Sequence, residues 1–202
     1  MCYAEGVCPP GRFVSDSAAA TFGCERCAPG RFSEAADEAT DCTDCIPGRF
    51  AEAQGSRRCI DCVAGRYIDL EGSDAEGDCI DCALGKFSAA GSDALGDCLD
   101  CALGRYSATT PIAEAGCIEC IAGKYIDVTG SDEAADCIDC VVGKYVDSPG
   151  SDDASDCIDC IAGRYSGSVG ASASSTCAEC VAGRYSAAVA ATNAITCLIG
   201  DR

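Results

Sequence analysis

The sequence predicts a tandem array of small disulfide-rich repeats: an elongated solenoid or rod of about ten short, β-hairpin-like, loop-rich units with little helix. Three observations carry this expectation. Cysteine supplies 21 of 202 residues, a level that marks a disulfide scaffold. Leu, Ile, Val and Phe together number 34, too few to fill the core of an ordinary domain of this length. The cysteines recur in pairs at steps of 17 to 20 residues, as internal repeats do.

Nine Cys-x-x-Cys pairs begin at Cys24, Cys42, Cys59, Cys79, Cys98, Cys117, Cys137, Cys157 and Cys177, and a lone Cys197 continues the series. After the second cysteine of each pair comes x-x-Gly-(Arg/Lys)-(Tyr/Phe), an element that occurs ten times, from "CPPGRF" at Cys8 to "CVAGRY" at Cys180. Ten of the twelve aromatics and ten of the fourteen basic residues fall in it. The middle of each unit is more variable. Four copies carry Gly-Ser-Asp, starting at Gly72, Gly91, Gly130 and Gly150, and lengths vary as expected of surface turns. "RYIDLEG" and "KYVDSPG" read as short strands running into turns. No composition shift marks a boundary, so residues 1–202 read as one array with units beginning near 8, 27, 45, 62, 82, 101, 120, 140, 160 and 180, incomplete at both ends. A layer of roughly 10 Å per unit would give a span on the order of 100 Å, each unit touching mainly its neighbours.

Two chemistries compete for the cysteines. The spacing overlaps that of four-cysteine zinc sites. A zinc register needs complete pairs, and it would strand Cys8, with Glu5 three residues before it, and Cys197, with Gly200 three residues after it. A register joining the second cysteine of one pair to the first of the next strands neither. It pairs Cys8 with Cys24, Cys27 with Cys42, Cys45 with Cys59, Cys62 with Cys79 and Cys82 with Cys98. It continues with Cys101 and Cys117, Cys120 and Cys137, Cys140 and Cys157, Cys160 and Cys177, and Cys180 and Cys197. Cys2 alone is left, unpaired or intermolecular. Redox catalysis is disfavoured, because a thioredoxin-like pair occurs once, at a helix start in a βαβ setting. A bridge closing a loop of about 15 residues contributes roughly 3 kcal/mol in the chain-entropy model, offsetting ordering entropy that so little apolar surface does not.

The other repeated positions read structurally. The glycine of each element suits a positive φ or a close backbone approach. The aromatic two residues on is expected across an adjacent bridge, with the aliphatics that follow the cysteines, such as Ile138 and Val141, completing a small core column. The basic residue between them is expected to meet a carboxylate from Asp44, Asp61, Asp81, Asp100, Glu119, Asp139, Asp159 or Glu179, each just before a second cysteine. Asp74, Asp78 and Asp81, like Asp132, Asp136 and Asp139, raise the question of calcium, but they lack the spacing of a dedicated loop and read as solvated turn acids. There is no histidine and no unique carboxylate pair, so no catalytic residue, metal or cofactor is assigned.

A net charge of −19 repels nucleic acid and anionic headgroups, and no apolar run is long enough to insert in a membrane. The first residues lack the basic start and apolar stretch of a secretory signal, so either one has been removed or this is a piece of a longer chain. Disulfide density points to an extracellular or cell-surface location. The single asparagine, Asn193, lies outside any N-glycosylation sequon, leaving O-linked glycans on turn serines and threonines or on modified Pro9 and Pro10.

The pattern CxxCxxG(R/K)(Y/F)…GSDxxxDCxxC, from Cys8 to Cys197, resembles the ephrin-receptor-like Cys-rich repeats (GCC2/GCC3 type) that occur in tandem in large extracellular proteins, many from protists and algae. Its CxxGxY…C half also resembles the first module of tumour-necrosis-factor-receptor repeats. That resemblance implies the offset pairing above and a non-enzymatic role as spacer, stalk or binding surface. The leading expectation is a structural component of an extracellular filament, appendage or coat that self-associates end to end or laterally. The alternative is a receptor stalk or surface antigen.

Overall fold

The computed structural model describes residues 7–15, 23–34 and 40–199. Cys2 lies outside them. Each unit opens with a tight turn. In residues 28–31 the Arg31 amide donates to the Ala28 carbonyl at 3.2 Å, with Pro29 and Gly30 at the centre and Gly30 at φ +81°. A left-handed glycine at its third position is what a type II turn demands, and proline suits the position before it. The chain leaves the turn extended, and the basic and aromatic residues pair with the two residues held between the next pair of cysteines. Ten two-stranded sheets result, from Arg12–Ser15 with Gly23–Arg26 to Arg184–Tyr185 with Leu198–Ile199. The strands pair antiparallel, as Lys124 opposite Asp139 and Tyr125 opposite Ile138 illustrate.

Ten disulfides close these hairpins into loops: Cys8–Cys24, Cys27–Cys42, Cys45–Cys59, Cys62–Cys79, Cys82–Cys98, Cys101–Cys117, Cys120–Cys137, Cys140–Cys157, Cys160–Cys177 and Cys180–Cys197. They are numbered loops one to ten below. Their Cα–Cα distances, 5.5 to 5.9 Å, lie in the ordinary disulfide range. Loops four to ten each carry one turn of 3-10 helix just before the closing cysteine, from Glu76–Asp78 to Ala194–Thr196. No sheet closes on itself and no longer helix forms among the described residues.

Backbone contacts divide the chain into two compact units. The first takes in residues up to 83 with 87–99 and 110–114; the second has 84–86, 100–109 and 115 onward. Each unit encloses five complete bridges, and both use the same joints. In the second, loop seven meets loop eight through Gly123 N–H to the Val146 carbonyl at 2.8 Å, Ile126 N–H to Ser151 at 3.1 Å, and Gly150 N–H back to Cys120 at 2.8 Å. In the first, the corresponding bonds are Gly48 to Ile68, Ala51 to Ser73 and Gly72 to Cys45. The expectation that loops touch mainly their neighbours needs one correction. The turn glycine also meets the loop two further on: a Cβ on Gly104 would lie 2.2 Å from the Gly150 carbonyl oxygen.

The core is a series of small cells. Phe50 packs with the Cys62–Cys79 bridge and Ile68; Tyr106 packs with Cys120, Cys137 and Ile126; Tyr125 packs with Cys140, Cys157 and Val146. Each of these aromatics lies over the bridge of the following loop. The aliphatics after the cysteines do not complete the column: Ile138 is 45% and Val141 59% exposed. The buried position is instead the residue after the aromatic, and it holds Ser33, Ala51, Ile68, Ser88, Ser107, Ile126, Val146, Ser166 and Ser186 in turn. The geometry explains this. Strand alternation sends the aromatic toward the bridge of the following loop and turns the next residue onto its own loop's bridge, as Ile68, Ile126 and Val146 lie against Cys62–Cys79, Cys120–Cys137 and Cys140–Cys157.

Two substitutions test this packing. Gly104→Ala and Gly163→Ala share the positive-φ strain of about 1–2 kcal/mol. Only Gly104→Ala also drives a Cβ into backbone two loops away, whereas Gly163 has nothing within 4 Å of that point. The thermal midpoint with bridges intact should fall clearly further for Gly104→Ala, by about 1–3 kcal/mol of overpacking. Ala190 takes φ +53° where loops seven to nine have glycine. Ala190→Gly should therefore stabilise by about 1 kcal/mol in the same measurement.

Candidate interaction surfaces

Because side chains alternate along a strand, each hairpin displays two faces. One carries an ion pair. Arg31–Asp44, Arg49–Asp61, Arg66–Asp81, Lys86–Asp100, Arg105–Glu119, Lys124–Asp139, Lys144–Asp159 and Arg164–Glu179 close at 2.5 to 2.9 Å. The acid before each second cysteine thus meets the basic residue across the strand pair. Being exposed, such pairs are worth about 0–1 kcal/mol each. In loops one and ten the acid is replaced, by Arg26 and by Ile199. There Arg12 and Arg184 donate to the Cys24 and Cys197 carbonyls instead.

The other face pairs the aromatic with an aliphatic: Phe50 with Ile60, Tyr67 with Ile80, Tyr106 with Ile118, Tyr145 with Ile158. These cross-strand pairs stabilise the short ladders while the aliphatic stays half in water. Ile46, Val63, Ile121, Val141, Ile161 and Val181, each following a second cysteine, form a further set of exposed aliphatics. Apolar side chains exposed at a repeated position are a candidate contact surface.

The turn acids have structural partners. The Asp78 carboxylate accepts the Asp74 and Ala75 amides at 3.1 Å, and Asp97, Asp136 and Asp156 repeat that arrangement. Each satisfies donors that the opening of the 3-10 turn leaves free. Asp81 and Asp139 are committed to Arg66 and Lys124. Of the two trios raised for calcium, Asp74 and Asp132 are left exposed. No group of three or more acids, cysteines or histidines stands together as a metal cluster among the described residues.

The serines of the four Gly-Ser-Asp turns, Ser73, Ser92, Ser131 and Ser151, are buried, and three of them donate to the carbonyl three residues earlier. A glycan has no room there. Exposed turn hydroxyls are found at Thr129, Ser148 and Ser155. No helix among the described residues is long and apolar enough to cross a membrane.

Among the described residues, two carboxyls titrate below the ordinary carboxylate range. Asp44 is held down by its hydrogen bond from Arg31, and Asp153 by the backbone amide of Ser155. Lowered native pKa values mean that both groups support the fold above the ordinary carboxylate range. That support fades as pH falls through their native values. Carboxyl-carbon NMR should show Asp44 and Asp153 protonating below the ordinary carboxylate range; titration within that range would contradict the assignment. Asp136→Ala should cost about 1 kcal/mol by uncapping the turn. Asp139→Asn should cost less, because it breaks only an exposed ion pair.

No curated protein matches the chain. Residues 30–79, which contain the complete Cys45–Cys59 and Cys62–Cys79 bridges, match the family model described as tyrosine-protein kinase ephrin type A/B receptor-like. With a disulfide closing each hairpin and the same turn opening each loop, the repeat pattern of the chain fits an ephrin-receptor-like Cys-rich repeat.

Proposed function

We propose that this chain is a structural, non-enzymatic component of an extracellular filament, appendage or surface coat. It works by self-association, end to end or side by side. The observation that carries the reading is the repetition of one backbone joint from loop to loop. A surface that already accepts a loop of the same kind many times over is suited to stacking further copies. The exposed aliphatics after the cysteines support lateral contact in addition. Bridge density and the family match support a secreted or surface setting. Sugars, where present, attach through oxygen at Thr129, Ser148 and Ser155.

Negative-stain images and light scattering over a wide concentration range test the proposal. Filaments or sheets are expected, with scattering mass rising with concentration. Compact monomers at the highest concentration would overturn it. Retained monomeric behaviour together with saturable binding of another extracellular protein would favour a receptor stalk instead.

A further inference from the structure

In loops two to nine the basic residue of each hairpin is tied to a carboxylate across the strand pair. Loop one departs from that rule: Arg26 stands where the acid belongs, directly opposite Arg12. Facing residues of an antiparallel pair point to the same side with Cα atoms about 5 Å apart, so two cations share one face. Loop three adds to them. Gly55 N–H donates to the Cys27 carbonyl at 2.8 Å, and a Cβ on Gly55 would lie 3.6 Å from Cγ and Cδ of Arg26. Arg57 and Arg58 follow directly after Ser56, both exposed. Among the described residues Arg26, Arg57 and Arg58 close no ion pair. Nearby acids do not neutralise the group. Glu25 lies opposite Phe13, on the other face of its hairpin. Asp61 is committed to Arg49, and Glu34 borders the hollow that Arg58 lines without pairing with it. The same face stays open in loops with a neighbour on either side, where the acid side chain opposite the cation is 41% to 72% exposed.

Loops seven and eight carry the complement. Asp132 with Glu133, and Asp152 with Asp153, are exposed at the same turn position of successive loops. Asp136 and Asp156 lie beside them, each accepting the amides of those residues. Lys124 and Lys144, the cations of these loops, are committed to Asp139 and Asp159, so no cation pairs with the turn acids among the described residues. We infer that the arginine face of loops one and three is a docking site for the acidic turns of loops seven and eight of a second copy of this chain. Guanidinium groups suit this task, because their fork meets a carboxylate through two hydrogen bonds at once. Charge complementarity identifies the occupant. A long polyanion would have to lie against a molecule of net charge −19, whereas a second copy brings a short acidic stretch to the one basic face. The inference rests on the self-associating reading above and names the two surfaces that meet. Since they are different patches, the contact propagates into an open chain unless its rotation closes a ring.

Sedimentation across a thousandfold concentration range tests the site, in a Cys2→Ser background that removes covalent coupling. One variant carries Arg57→Glu with Arg58→Glu; the other carries Asp132→Lys with Asp152→Lys. Disulfide mapping confirms that each retains its bridges. Each variant alone should associate at least tenfold more weakly than the parent. An equimolar mixture should recover the parent's affinity but stop at dimers, because only one intact arginine face and one intact set of turns remain to meet. Salt at about 1 M, where the screening length is about 3 Å, should weaken the parent's association at least tenfold. If the parent associates and both variants match it, or the mixture stays monomeric, the docking site is overturned while assembly through other surfaces stands. Salt-independent association has the same consequence. If the parent is monomeric throughout, both readings fall, and saturable binding of a sulfated polysaccharide that the Arg57→Glu, Arg58→Glu variant loses would reassign the arginine face.

Discussion

A hairpin with two paired residues on each strand does not hold itself together in water, and each of these loops has little more than that. What makes it a unit of structure is the disulfide across its base, 14 to 17 residues apart in sequence. The covalent bond removes much of the open-chain freedom that the loop would otherwise have to lose on folding. Only then do weak contributions suffice: a type II turn, one ion pair, one aromatic against sulfur. Each is worth about 1 kcal/mol or less.

Closing the loops leaves the question of how they stack, and the backbone answers it. The joints run through amides and carbonyls of the turn glycine, the first cysteine and the residue after the aromatic. Side-chain identity at that last residue is therefore free to vary, provided that it is small or apolar enough to be buried. Where it is serine, the hydroxyl can join the same joint: Ser88 Oγ accepts from Gly65 N–H and donates to the Arg66 carbonyl, both of the preceding loop. The same logic puts glycine at the turn, since the carbonyl of a loop two further on occupies the place of its Cβ.

Such an interior leaves much apolar surface outside. The aliphatics beside the cysteines cover the rings only from the solvent side, so the molecule is knit by covalent bonds within and displays repeated aliphatics without. With a net charge of −19 on each chain, like-charge repulsion opposes unspecific sticking between such surfaces.

The sequence alone determined the repeat, its hairpin character and the partners within each hairpin. A glycine, a cation and an aromatic at fixed offsets from a cysteine act through contacts local to one closed loop. Arg66 and Asp81, for instance, need nothing beyond their own strand pair to meet. What lay between loops was decided only in three dimensions. Ile138 and Val141 are as apolar as any core residue, yet they stay outside, while Ser107 goes in, because burial follows which side of the backbone the packed loops cover. Ala190, in the left-handed conformation that glycine takes in the preceding loops, shows the same priority: the stack dictates the backbone, and the side chain conforms.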